Sequence, residues 1–270
     1  MKIIDTHFHP EDLIEFEKIK NNTIYSNEKI IEESKKNMLE AMFCISTSIN
    51  NFSEYINNSL MYKEYYFSIG IHPCEVKNNE LEDTILKLKD TIALCKKNKF
   101  KIIGIGETGI DFYREEDRML FQKQEILFNT QIELCIINKL PLIIHTRNAT
   151  IETYQIMKNY SQKLNGTIHA FCDDYTWAKK FIDLGFKLGI GGAITYPKNE
   201  HIRDAVKKVG IKHILLETDA PFLPIQSMRG KVNHPQYCYN IGIYIANLLN
   251  IEKEICFEQI YNNTINIFEI

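Results

Sequence analysis

The chain has 270 residues, 44% of them hydrophobic and 25% charged, with a formal net charge of -3 at pH 7. That is enough sequence for one large globular domain or two small ones with a full core. The slightly acidic balance, with a pI near 6.3, argues against broad, charge-driven wrapping of duplex nucleic acid and leaves room for a local basic rim. Seven cysteines (Cys44, Cys74, Cys95, Cys135, Cys172, Cys238, Cys256) are scattered with no C-x-x-C pair. Neither a zinc ribbon nor a disulfide framework is indicated, and reduced thiols are expected. Polar residues follow Met1–Asp5 too soon for the apolar core of a signal peptide, and no apolar run approaches the roughly 20 residues that span a bilayer. A cytoplasmic protein without membrane attachment is expected.

In chain order, short β-branched runs read as strands at Lys2–Asp5, Ala41–Ser46, Tyr65–Ile69, Lys101–Ile105, Leu140–Ile144, Gly166–His169, Phe186–Ile190 and His213–Leu216. Such continuous apolar runs suit strands covered on both faces, as in a parallel sheet. Between them, helical spacing marks Asn27–Leu39, Glu80–Lys97, Glu116–Asn138, Thr150–Leu164, Tyr175–Leu184 and Asn199–Val209, with Ser26 as an N-cap and Gly185 and Gly210 as stops. Eight strands alternating with helices predict an α/β fold, a (β/α)8 barrel, with residues 1–270 forming a single domain. The alternative, an open doubly wound sheet, expects a glycine-rich phosphate turn after the first strand. Thr6-His7-Phe8-His9 stands there instead.

A barrel of this kind builds its active site where strands end and loops begin. His7 and His9 follow the first predicted strand, and His72 the third. Glu107 and Asp111 follow the fourth, His145 and Arg147 the fifth, His169 ends the sixth, and Glu217 and Asp219 close the eighth. Residues two apart on an extended chain share a face, so His7 with His9, and Glu217 with Asp219, can aim at one cation. Imidazole and carboxylate suit Zn, Mn or Co, and carboxylates also accept Mg. Glycines on both sides of Glu107 let the backbone turn sharply or approach a ligand. Asp219, after the apolar run Ile214-Leu215-Leu216, is a costly charge unless a cation or donor meets it.

These blocks resemble the TatD family of metal-dependent deoxyribonucleases, within the amidohydrolase-like metallohydrolases. The resemblance runs in order over nearly the whole chain: Asp5-Thr6-His7-Phe8-His9, Gly70-Ile71-His72-Pro73, Gly106-Glu107-Thr108-Gly109-Ile110-Asp111, His145-Thr146-Arg147, His169-Ala170-Phe171, Glu217-Thr218-Asp219-Ala220-Pro221 with Phe222-Leu223-Pro224, Arg229-Gly230-Lys231-Val232-Asn233, and Asn263-Thr264 with Phe268. It implies two divalent metal ions (Mg, Mn or Zn). His7, His9, Glu107 and Asp219 would hold one, and Glu107, His145 and His169 the other, with Glu107 bridging. It departs from the family pattern after His169, where Ala170, Cys172 and Asp173 stand. It departs again in the late basic block, where Val232 and His234 replace polar positions, which bears on substrate affinity rather than on the metals.

The expected reaction is phosphodiester hydrolysis by a water activated between two metals, which also clamp the attacking and leaving oxygens. Asp219 would take the proton. Arg147 suits a phosphate fork, Arg229 and Lys231 add charge at the rim, His72 contacts substrate, and Glu217 orients ligands from behind. The substrate expected is a nucleic acid, single-stranded DNA attacked 3′ to 5′ from an end, by a protein taken as a monomer. Two rival readings use the same residues. One is an amidohydrolase-type enzyme cleaving an ester or amide such as D-aminoacyl-tRNA; the other is a non-catalytic protein keeping metals for structure.

Overall fold

The computed structural model describes the chain except residues 78, 79, 161 and 162. Eight strands form one parallel sheet in sequence order: β1 (Ile3–Phe8), β2 (Leu39–Cys44), β3 (Tyr65–Ile69), β4 (Ile102–Asp111), β5 (Leu142–Arg147), β6 (Gly166–Ile168), β7 (Phe186–Ile190) and β8 (Ile214–Leu216). The ring closes between β8 and β1. There the Asp219 N–H donates to the His7 carbonyl and the His9 N–H to the Ala220 carbonyl, both at 2.8 Å. The architecture is the (β/α)8 barrel that the alternation predicts.

Helices α1 (Pro10–Asn21), α2 (Asn27–Lys36), α3 (Phe52–Met61), α4 (Leu81–Asn98), α5 (Glu115–Met119), α6 (Phe121–Asn138), α7 (Thr150–Lys158), α8 (Tyr175–Asp183), α9 (Glu200–Val209), α10 (Cys238–Leu249) and α11 (Lys253–Phe268) run between and after the strands. Ser26 caps α2 by accepting the Lys29 N–H, and Gly185 and Gly210 follow α8 and α9 with φ of 97° and 76°, as their positions predict. The expected helix over Asn27–Leu39 stops earlier, because Leu39 already pairs with Ile3 as the first residue of β2. The single helix expected over Glu116–Asn138 is two, α5 and α6, meeting at Leu120. The helix expected over Thr150–Leu164 ends at Lys158, and two residues of that expectation, 161 and 162, lie outside the described residues.

The largest departure concerns β4, which extends six residues past Ile105 and so carries Glu107 and Asp111 within it. The extension stays paired with β5 as far as Asp111 but has no β3 beside it, which would strand backbone polar groups on that side. Two buried glutamines of α6 meet that need. Gln124 accepts the Asp111 N–H at 2.9 Å and donates to the Asp111 carbonyl at 3.1 Å, while Gln131 donates to Thr108 Oγ1 at 2.5 Å and to the Ile71 carbonyl at 3.0 Å. The glycines let this extension press on β5.

At the opposite end the barrel interior is apolar. Ile4, Phe43, Ile103, Ile143 and Leu215 cluster with Ile267 and Phe268 of α11. Asn263 fixes that helix by donating to the Ile211 and Ile214 carbonyls, each at 2.8 Å. The Asn263-Thr264 block with Phe268 is thus a closing anchor of the fold, far along the strands from the polar mouth.

The crowding predicts a contrast between two glycines that both have positive φ, Gly109 at 147° and Gly230 at 84°. A Cβ on Gly109 would fall 1.9 Å from the His145 carbonyl oxygen, whereas one on Gly230 meets nothing within 4 Å. Gly230→Ala should cost about 1 kcal/mol from backbone strain alone. Gly109→Ala should cost at least about 3 kcal/mol because β4 and β5 must part. Urea unfolding of both variants beside wild type measures the difference.

Candidate metal centre

The expected ligand residues converge at the C-terminal mouth of the barrel. His7 lies in β1 and His9 directly precedes α1, which Pro10 starts. Glu107 and Asp111 lie in β4, and His145 in β5. His169 follows β6, while Glu217 and Asp219 follow β8.

Glu107 is the hub. Its Oε2 lies 3.3 Å from His7 Nε2 and 3.9 Å from His9 Nε2. Its Oε1 lies 2.8 Å from His145 Nδ1, 3.8 Å from His72 Nε2 and 3.9 Å from His169 Nε2. Asp219 Oδ1 completes one side, 3.4 Å from His9 Nε2, 3.6 Å from His169 Nε2 and 3.9 Å from His7 Nε2. His7 and His169 stack with ring centroids 3.3 Å apart. Besides Glu107, His145 groups with His72 and Asp111, whose Oδ2 lies 2.9 Å from His145 Nε2.

Hydrogen bonds behind the rings decide which nitrogen faces the centre. The Ile45 carbonyl lies 3.1 Å from His9 Nδ1, and a carbonyl only accepts, so Nδ1 holds the proton and neutral His9 turns a lone pair on Nε2 toward Glu107 and Asp219. Glu217 Oε1 accepts the Ala170 N–H at 2.7 Å and lies 3.0 Å from His169 Nδ1, off the ring N–H axis, favouring the same arrangement there. His72 is the reverse case. The Cys74 N–H donates to its Nδ1 at 3.1 Å, so the proton of neutral His72 sits on Nε2 and faces Glu107. His72 is therefore a donor at the centre, suited to an anionic oxygen rather than to a cation.

The electrostatics follow from charges crowded out of water. Burial opposes ionisation of Glu107, but His7 and His145 hold its carboxyl well below the usual range. Asp219 is buried too and is likewise held low, by His169 and His9. Burial pushes His9 down, yet Asp219 and Glu107 outweigh it and hold the ring at about 9. Burial also opposes charge on His169, which Glu217 and Asp219 raise to about 10. Burial and His169 together push His7 down to about 4. Among the described residues, buried His7 finds no hydrogen-bond partner on either ring nitrogen. An unpartnered buried imidazole beside two carboxylates is what a cation ligand looks like before the cation arrives, so the residues fit divalent metal.

A family profile described as TatD related DNase matches residues 4–269. The chain belongs to this family. It is similar to an uncharacterised metal-dependent hydrolase of Buchnera aphidicola subsp. Baizongia pistaciae, 34% identical over 100% of this chain and 97% of that one. A TATDN1 homologue of Enterocytozoon bieneusi, named as a candidate deoxyribonuclease, is 32% identical over 92% of this chain and 93% of its own. Among solved structures, the TatD homologue YjjV of Escherichia coli K12 superposes with a TM-score of 0.87 at 24% identity, covering 99% of this chain and 98% of that one. The chain is a metal-dependent hydrolase of the TatD family.

Within the TatD motifs, the structure separates residues that face the centre from those that hold it. Asp5 is fully buried, accepting the His7 and Thr218 N–H groups at 3.2 and 2.9 Å and the Thr218 hydroxyl at 2.5 Å. It thereby joins the two ligand-bearing segments. Arg147 is exposed, its guanidinium 3.6 Å from the Tyr113 ring centroid, and that of Arg229 lies 4.5 Å from Tyr196. Lys231 is exposed on the same loop as Arg229. Val232, one of the departures from the pattern, is buried and packs in the core, so it does not face the basic rim. His234, the other, lies 3.0 Å from Glu17 Oε1 and 3.1 Å from the Tyr25 hydroxyl, tying the loop to α1 and the segment after it. Asp111 carried no assigned role in the sequence, although period-two spacing from Glu107 along β4 placed it on the same face.

Asn233 sets the turn that carries Asp219. Its side-chain amide donates to the Thr218 and Phe222 carbonyls at 2.8 and 2.7 Å, bracketing an Asp219 whose φ is 58°. Asn233→Ala should leave a buried carbonyl and a part-buried one without their donors and lower stability by about 1–3 kcal/mol. Asn233→Asp should do no better, because a carboxylate lacks both N–H donors. Urea midpoints of the two variants check this, with an aspartate variant as stable as wild type being the contrary result.

Proposed function

We propose that this TatD-family hydrolase, acting as one domain over residues 1–270 and as a monomer, removes nucleotides 3′ to 5′ from the end of single-stranded DNA. Two divalent cations, drawn from Mg, Mn or Zn, serve the reaction. His7, His9, Glu107 and Asp219 hold one, and Glu107, His145 and His169 the other. The observation that carries the reading is the division of histidines between the oxygens of Glu107, His7 and His9 on Oε2 and His145 and His169 on Oε1. The description of the matched family and the name of the microsporidian relative favour a nucleic-acid substrate. A net charge of -3 with a few cations at the rim suits a strand end better than a long duplex.

When bound, the cations supply Lewis acidity at the phosphoryl oxygens and bring the pKa of a water to about 7. The protein's own groups do the rest. Asp219 accepts the proton of the attacking water on a carboxylate oxygen. His72 donates its Nε2 proton as a hydrogen bond to a phosphoryl oxygen. Arg147 offers a planar fork to the same or the next phosphate, and Arg229 and Lys231 draw the trailing strand to the mouth. Glu217 and Asp111 act behind His169 and His145, fixing ring orientation.

Glu107 tests the centre. After gentle loading with Mn or Zn, elemental analysis of wild type should give about two ions per chain. Glu107→Ala should lose both and with them hydrolysis of end-labelled single-stranded DNA. Glu107→Gln keeps the size but not the charge that screens two cations from each other, and should fail almost as badly. Lys231→Ala should keep its metals and raise KM, because its partner is phosphate. A Glu107→Ala protein that keeps two ions and near-normal kcat overturns the bridging assignment.

Direction and end preference have their own test. A linear single strand should be degraded progressively from its 3′ end, while a covalently closed single-stranded circle should persist. The rate should fall only moderately as salt is raised, since few phosphates are neutralised at the rim. Cutting the circle as fast as the linear strand would contradict end-directed attack.

A further inference from the structure

Two exposed aromatic rings stand on opposite rims of the barrel mouth, and each is tied to a carboxylate residue of the centre. Tyr113 follows β4 and is 59% exposed, and its backbone N–H donates to Asp111 Oδ1 at 2.6 Å. Phe222 follows β8 and is 40% exposed, and its backbone N–H donates to the Asp219 carbonyl at 2.7 Å. In an eight-stranded ring taken in sequence order, β4 and β8 face each other across the barrel. The chemistry repeats the division. Phe222 lies against His9, with centroids 5.9 Å apart, on the Oε2 side of Glu107, while Asp111 pairs with His145 on the Oε1 side.

Neither ring is free to swing. The Arg147 guanidinium lies 3.6 Å from the Tyr113 centroid, covering one face, and Phe16 meets Phe222 edge-on with centroids 5.5 Å apart. Holding a large apolar ring exposed and fixed brings the fold no core, but it prepares a surface for a flat, apolar partner. Every nucleobase has such a face, and stacking on an aromatic side chain tolerates any base. Bases in a duplex are already stacked and paired, so only an unpaired strand can offer them.

We propose that Tyr113 and Phe222 are the base-stacking platforms on either side of the cleaved bond, so that the enzyme requires an unpaired base on both flanks of the scissile phosphate. The assignment rests on the nuclease reading above and adds to it the residues that select single strands. Arg147 then has a double part, holding Tyr113 flat while its N–H groups remain available to phosphate. The expected substrate is a single strand with no preferred base at either position, and a plain small phosphodiester should be cleaved without help from either ring.

The test is kinetic and uses the metal-loaded protein, with binding of the same strands read by fluorescence in the chelator-treated protein, where no cleavage can occur. Tyr113→Leu and Phe222→Leu should each weaken binding and raise KM for single-stranded DNA by about 5- to 100-fold, with hydrolysis of a strand abasic on both flanks of the scissile bond unchanged. Tyr113→Phe and Phe222→Tyr should restore single-strand binding. Wild-type protein gives the same answer without a variant. One abasic nucleotide on one flank of the scissile bond should cost what Tyr113→Leu costs and leave that variant no worse, and an abasic nucleotide on the other flank should do so for Phe222→Leu. If wild type degrades DNA but both leucine variants and both abasic strands keep the normal KM and affinity, the platforms are refuted while the nuclease reading stands. If loaded wild type cleaves bis(p-nitrophenyl) phosphate but leaves DNA intact, the nuclease reading itself fails, and the platforms with it.

Discussion

The structure depends on placing one ionised carboxylate, Glu107, at the centre of five imidazoles. A buried carboxylate is expensive to keep charged, and a carboxylate has only two oxygens with which to recover that cost. Here the oxygens serve different histidines, Oε2 with His7 and His9 and Oε1 with His145, His72 and His169. For one side chain to reach both groups, its backbone must come far into the mouth, beyond the last pairing of β4 with β3, while β4 stays paired with β5. Much of the local architecture answers that requirement. Glycines let β4 close on β5, Gln124 meets the Asp111 backbone and Gln131 ties Thr108 to Ile71 on the side where β3 has ended, and the Glu107 N–H finds the Ser46 carbonyl at 2.9 Å.

Around this hub, closing the barrel and building the site are the same event. The backbone bonds that join β8 to β1 are made by His7 and Asp219 themselves and by their neighbours His9 and Ala220. Asp5 adds side-chain bonds across the same seam. A change that loosens the seam therefore also moves two residues of the candidate metal centre from opposite ends of the sequence. The outer partners are matched to their rings in kind. A carbonyl stands behind His9, carboxylates behind His169 and His145, and a backbone N–H behind His72. The first three leave a lone pair or a negative charge facing inward, and the last leaves a proton there. One set of four histidines thus contains two functions, distinguished by what lies behind each ring.

The sequence made the barrel legible because its strands are covered on both faces and so appear as unbroken apolar runs, and because His7, His9, Glu107, His145, His169 and Asp219 all stand at or just after the ends of those runs. What stayed hidden had a common cause. The β4 extension has no apolar run to announce it, since Gly106-Glu107-Thr108-Gly109 is held by side chains of a helix more than ten residues away. The break at Leu120 lies inside an otherwise helical pattern. Asp111 and Asn233 act only through partners that the fold brings near, His145 in one case and the Thr218 and Phe222 carbonyls in the other. Tyr113 and Phe222 look like ordinary loop aromatics until the ring of strands sets them across from each other.

Centre and rim divide the work of the molecule. Water activated by a divalent cation attacks phosphorus and acyl carbon alike, so a metal centre does not by itself choose the substrate. The choice falls to groups that are held still yet remain unspent. Arg147 and Arg229 illustrate how this is arranged. Each lies over an aromatic ring, Tyr113 and Tyr196, instead of against a carboxylate. A guanidinium fixed by a carboxylate would be neutralised, and an incoming phosphate would have to break that pair before binding. A guanidinium fixed by the face of a ring keeps its charge and its outward N–H groups. The fold thus presents positive charge in a chain of net charge -3 without letting its acids cancel it. Two guanidinium groups beside the mouth keep their charge for an incoming anion.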